Sequence, residues 1–110
     1  MKGVGRKTRA LLEDPYTEIL FSAVSITEIA VKAGLKKLTL TEKDISELEQ
    51  DLRLSLLAYQ PSHARALFRL PLRHRDPFDR MLIATAIVEA VPLISNDREI
   101  KRYKEIDVFW

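Results

Sequence analysis

The chain has 110 residues, 46% of them hydrophobic and 31% charged, with a formal net charge of +2. That length suits one domain spanning residues 1–110, and that balance describes a globular chain rather than a disordered one. The lack of cysteine excludes disulfides and cysteine-bound zinc, no apolar run reaches the roughly 18 residues of a membrane span, and the mild charge permits a nucleic-acid partner without arguing for one.

The start, with Lys2, Arg6 and Lys7, is basic but lacks the apolar stretch of a signal peptide, so a cytoplasmic location is expected. Residues 6–13 are predicted to be helical and are stopped by Asp14-Pro15, because proline pushes the preceding residue out of the helical region. Residues 18–24 are a short apolar run after a turn signal and read as a buried strand. Residues 25–35 read as a helix capped by Ser25, with Glu28 three residues on and Gly34 near its end. Residues 41–52 read as another capped helix, with Ile45, Leu48 and Leu52 spaced for one apolar face. Residues 54–59 fit either a helix end or a short strand. Residues 62–70 are predicted helical, which places Ala66 and Leu70 one turn apart.

Asp76 and Pro77 fit the cap and first position of a helix running to about residue 90. Its apolar stretch from Met81 to Val88 is too greasy for a surface. Residues 91–95 read as a second buried strand. Asn96 or Asp97 then caps a short helix reaching Tyr103, and residues 106–110 form a terminal strand. Apolar strands without alternation, separated by helices, predict an α/β fold with a mainly parallel sheet.

Three acids occupy comparable places in this plan. Glu28 follows one strand, Asp97 follows another, and Asp79 lies in the first turn of the apolar helix. Residues just beyond the carboxyl ends of parallel strands gather at one edge of the sheet. Carboxylates so gathered repel one another unless a proton or a cation intervenes, and Mg2+ or Mn2+ binds such oxygen ligands. Each acid also has a plainer reading. Ser25 and Glu28 match a capping box, Asp76 and Asp79 suit a helix start, and Asp97 suits a cap.

The cations Arg65, Arg69, Arg73, His74, Arg75 and Arg80 fall close together, as a solvated face or a phosphate-contacting patch. Lys32, one turn after Glu28, faces the same pocket or snorkels to solvent. His63 and His74 lack the spacing of a zinc pair. No glycine-rich phosphate loop or serine-nucleophile motif is present.

Three segments carry a resemblance that spans nearly the whole chain. They are residues 22–32 around Ser25-Ile26-Thr27-Glu28, residues 70–80 with His74-Arg75-Asp76-Pro77-Phe78-Asp79-Arg80, and Pro92-Leu93-Ile94-Ser95-Asn96-Asp97. They resemble the PIN-domain family, in the branch of the VapC-type toxins. The resemblance implies a three-layer α/β/α sandwich with a mainly parallel sheet. It implies a Mg2+- or Mn2+-dependent endoribonuclease, the toxin of a toxin–antitoxin pair, forming a homodimer and inhibited by a cognate antitoxin. Glu28, Asp79 and Asp97 match the family's catalytic and metal-binding acids, and Asp76 is typical of the subgroup. Arg75, Arg80, His74 and Lys32 are expected to contact RNA phosphates.

That branch opens with a strand carrying an aspartate, and nothing before Glu13 is acidic here. The expectation is therefore a domain without its first strand, inactive or weakly active, that closes its sheet by dimerisation or strand exchange. The alternative is a non-catalytic dimerising or antitoxin-binding module of the same descent. A third reading is an unrelated α/β protein whose acids are all helix caps.

Overall fold

The computed structural model describes residues 3–110. Helix α1 (Arg6–Glu13) has the predicted bounds. It ends because Asp14 is extended, and its carboxylate accepts from the Tyr16 amide at 2.9 Å and the Thr17 hydroxyl at 3.1 Å. Strand β1 (Ile19–Ser22) follows and is shorter than the sequence suggests. Helix α2 (Ala23–Gly34) begins earlier than expected. Its cap is Ser22, whose hydroxyl accepts from the Val24 amide at 3.0 Å, so Ser25 lies inside the helix. The expected capping box between Ser25 and Glu28 does not form. Two serines were available as caps, and the earlier one lets Val24 bury all but 2% of its surface. Gly34 is the last helical residue, and the left-handed backbone falls on Lys36 (φ 60°).

Helix α3 (Glu42–Asp51) carries a capping box between Thr41 and Asp44. Of its expected apolar face only Ile45 is buried; Leu48 and Leu52 are exposed. The ambiguous residues after it form strand β2 (Leu54–Leu57), parallel to β1, with Ile19 opposite Leu54 and Ser22 opposite Leu57. Helix α4 (Pro61–Ala66) is followed by a 3-10 turn (Leu67–Arg69) in place of the last predicted helical turn. Ala66 and Leu70 are both buried, as their spacing predicts.

Helix α5 (Pro77–Glu89) starts with Asp76 as cap and Pro77 at its first position. Four consecutive residues, Ile83 to Ala86, are buried, which is possible only for a helix covered on several sides. It packs against α2, α4 and strand β3 (Leu93–Ile94). Strand β4 (Val108–Phe109) lies parallel to β3. The predicted helix between them is only a 3-10 turn (Ile100–Arg102), because Asp97 spends its carboxylate on an Asx turn, accepting from the Glu99 amide at 2.8 Å.

Every strand pairing is parallel, in keeping with the α/β reading. Among the described residues the strands form two separate pairs, β1 with β2 and β3 with β4, and no strand precedes β1. The strands are also less buried than expected: Leu20 and Ile94 are each more than a third exposed. The main core is Leu70, Ile83, Ile100 and Tyr103, with Leu67, Ile87, Leu93, Ile106 and Val108 packed around it. A fully buried aliphatic side chain such as Ile83 contributes roughly 1.5–3 kcal/mol by leaving water. This core fixes the start of α5 beside α2 and the loop after β3.

Candidate metal centre

Four elements converge at the start of α5. Helix α2 supplies Glu28, the start of α5 supplies Asp76 and Asp79, the loop after β3 supplies Asp97, and the loop before α5 supplies His74. The failed capping box matters here. Glu28 is not tied to the start of its helix, so its carboxylate is available to the cluster. Asp76 does both jobs: one oxygen accepts from the Asp79 amide at 3.0 Å, and the residue still belongs to the cluster.

The ligand atoms form two overlapping sets, each within 4.8 Å of one another: Glu28, Asp76 and Asp79, and then His74, Asp79 and Asp97. Asp79 belongs to both. The first set offers only oxygens, the donors that Mg2+ and Mn2+ prefer, so a hard divalent cation suits it. His74 Nε2 lies 2.9 Å from Asp79 and 3.4 Å from Asp97. Lys32 Nζ lies 2.6 Å from the Glu28 carboxylate. That pairing, before any longer-range charge, raises the Lys32 pKa above its ordinary value.

Burial raises the Asp79 pKa, and the negative charges of Asp76, Glu28 and Asp97 raise it further against the pull of His74. At Asp97 desolvation also pushes upward, but the Glu99 amide and His74 together outweigh it and hold that carboxyl below its ordinary value. Asp79, whose surroundings disfavour its charge, sits at the junction of both sets. A bound cation relieves that repulsion directly.

The cations expected around the site divide sharply. Arg75 is exposed and makes no ion pair among the described residues. It borders a cavity of about 490 Å³ with Leu67, Leu72, Pro77, Arg80 and Met81. Arg80 is turned to the backbone instead, donating to the carbonyls of Pro71 (3.1 Å), Leu70 (3.3 Å) and His74 (3.4 Å). Arg73 pairs with Glu105 at 2.7 Å, and Arg65 and Arg69 are exposed. His63 is not in the site. It is buried at the far end of α5, taking the Gln60 amide on Nδ1 at 2.9 Å and facing Glu89 at 3.4 Å.

Tyr103 was not legible as a site residue. Its hydroxyl donates to the Pro71 carbonyl at 2.7 Å and accepts from the amides of Arg73 and His74, both at 3.0 Å. The available signal was a lone aromatic within the charged run Lys101-Arg102-Tyr103-Lys104-Glu105. An aromatic there must turn inward, and a buried phenol needs a partner.

A comparison with curated proteins returned no match. The family model of the PIN domain matches residues 5–106, nearly the whole chain, and this convergence of acids at one end of a parallel α/β fold is thus found in a protein that belongs to the PIN domain family.

Proposed function

We propose that this protein is a divalent-metal-dependent endoribonuclease, the toxin of a VapC-type toxin–antitoxin pair. One observation carries the reading: the ligand atoms of Glu28, Asp76 and Asp79 lie within 4.8 Å of one another, as do those of His74, Asp79 and Asp97, and Asp79 belongs to both sets. Helix capping alone gives no reason for Glu28 and Asp97 to join Asp76 and Asp79. PIN domains are in general divalent-metal-dependent nucleases, and this cluster has the donor chemistry for that use.

In this reading Glu28, Asp79 and Asp97 hold Mg2+ or Mn2+, and Asp76 supports them while fixing the first turn of α5. The cation, when bound, supplies Lewis acidity and lowers the pKa of a coordinated water for phosphodiester hydrolysis. Arg75, exposed and uncommitted, holds an RNA phosphate, which gives affinity without sequence reading. Lys32 and His74, already engaged with Glu28, Asp79 and Asp97, keep the carboxylates oriented, and Arg80 serves the backbone rather than the substrate. A homodimer, a cognate antitoxin that covers the acidic site, and a cytoplasmic location complete the proposal. No helix among the described residues is long and apolar enough to cross a membrane.

The test is cleavage of single-stranded RNA with Mn2+ or Mg2+, with EDTA, and with the Glu28→Gln and Asp79→Asn variants. Metal-dependent cleavage lost in both variants is expected. No cleavage with either metal, from folded protein, supports instead the non-catalytic dimerising or antitoxin-binding module.

A further inference from the structure

We propose that Tyr103 and Arg80 are positioning residues for the acidic site and that they act through His74. The proposal rests on the metal-dependent reading above and adds to it how Asp79 and Asp97 are held in register.

The Tyr103 hydroxyl is the centre of the arrangement. A phenol has one proton to donate and two lone pairs to accept with. Here the proton goes to the Pro71 carbonyl, and the lone pairs take the amides of Arg73 and His74. Arg80 Nη1, at 3.3 Å, lies beside an oxygen whose capacity is already used, and its stronger partner is the Pro71 carbonyl at 3.1 Å. The ring of Tyr103 belongs to the core, but phenylalanine fills the same space. Burying a hydroxyl is costly unless it is bonded, so its purpose here is to hold residues 71–74.

His74 is thereby fixed from both sides of its backbone. Its amide is held by Tyr103, and its carbonyl accepts from Arg80. The ring is then oriented by the Asp76 amide, which donates to Nδ1 at 3.3 Å. With Nδ1 accepting, the proton of the ring lies on Nε2. That atom is directed between Asp79 and Asp97. In this geometry His74 donates to Asp97 at 3.4 Å and is a close charge neighbour of Asp79 at 2.9 Å, rather than a ligand nitrogen. Among the described residues it is the one side chain within ion-pair distance of both acids. Asp79 sits on α5 and Asp97 on the loop after β3, so the link crosses two elements of the site. Partners that orient metal-binding carboxylates from outside typically change metal affinity by 10- to 100-fold when removed.

The experiment uses the full chain and four proteins: wild type, Tyr103→Phe, His74→Leu and the double variant. Mn2+ affinity is measured by calorimetry, and the ring-nitrogen shifts of His74 are measured by NMR without metal. Tyr103→Phe should weaken Mn2+ binding about tenfold. His74→Leu should weaken it at least as much, and the double variant no more than His74→Leu alone, because the two act in series. Arg80→Met should behave like Tyr103→Phe, and His74→Gln, which keeps a donor, should recover part of the loss. Wild-type affinity in Tyr103→Phe, or full additivity in the double variant, overturns the proposal, since lost packing alone gives additive effects. If wild type binds no Mn2+ while Tyr103→Phe still shifts the His74 ring nitrogens, the brace stands and the metalloenzyme reading falls. Unchanged ring shifts overturn the brace and leave that reading intact.

Discussion

The two ends of α5 hold the same chemical pair in opposite circumstances. At its far end His63 meets one carboxylate, that of Glu89, and is only 1% exposed. At its start His74 meets two carboxylates, with Glu28 and Asp76 also close by. The far end is nearly balanced: one imidazole, one acid, and an amide from Gln60. The near end has more negative charge than its own cations answer, since Lys32 is paired to Glu28 and Arg80 is directed to carbonyls. A balanced pair is a staple between α4 and α5. An unbalanced cluster stores repulsion that a ligand can release, and such stored cost is typical of working sites.

This contrast can be broken by experiment, and the largest effect is on catalysis. Asp79→Asn, or Asp97→Asn, should reduce metal-dependent RNA cleavage on the order of 100-fold or more, because the charge that anchors the cation is lost. Glu89→Gln at the other end should leave the cleavage rate within about twofold, as expected for a site remote from the chemistry. Equal losses at both ends would dissolve the distinction.

Next comes the response to metal. At a hundredfold excess over its dissociation constant, Mn2+ should stabilise the protein by about 2.7 kcal/mol. That corresponds to a rise in Tm on the order of 10 °C for a domain of this size. The rise should vanish in Asp79→Asn and persist in His63→Ala, as read by calorimetric melts.

The far end should show its effect in stability alone. His63→Ala removes a buried ring, its contact with the Tyr59 ring at 5.9 Å and the acceptor for the Gln60 amide. A cost of about 2 kcal/mol is expected by chemical denaturation, with Mn2+ affinity unchanged.

The smallest effect concerns pH in the metal-free protein. Burial first, and the neighbouring acids second, raise the Asp79 pKa in the folded state. The folded state therefore holds that proton more tightly than the unfolded chain. The corresponding stability is present below the ordinary carboxylate pKa and is lost as pH rises through the raised folded value. Asp79→Asn should accordingly raise Tm at neutral pH, and the gain should fade on acidification. A variant that loses stability at neutral pH would show that Asp79 is held by its neighbours rather than strained by them.

How much of this was legible beforehand differs by element. The start of α5 was readable because Asp76-Pro77 is a local signal: a cap and a residue with fixed φ decide it without help from the rest of the chain. The start of α2 was not. Ser22 and Ser25 are equally good caps, and only the burial of Val24 selects between them. Glu28, Asp79 and Asp97 were expected together from strand ends in a parallel fold; the structure puts Glu28 with Asp79 in one set and Asp97 with Asp79 in another. Arg80 was expected to face RNA because its sequence neighbours are basic. It faces carbonyls, and the direction of a long side chain depends on unpaired acceptors that a linear reading does not locate.

The sequence by itself determined the α/β class with parallel strands, the buried helix α5 and its capped start. These follow from local capping, proline geometry and runs of apolar residues, which act over a few positions. Only the tertiary structure decided that Glu28 is free of its capping box, that His74 stands between two acids, and that Tyr103 holds the turn that puts it there. Those arrangements join residues about 30 positions apart, such as Tyr103 and Pro71. Their energies come from burial and charge, and both quantities exist only once the chain has closed on itself.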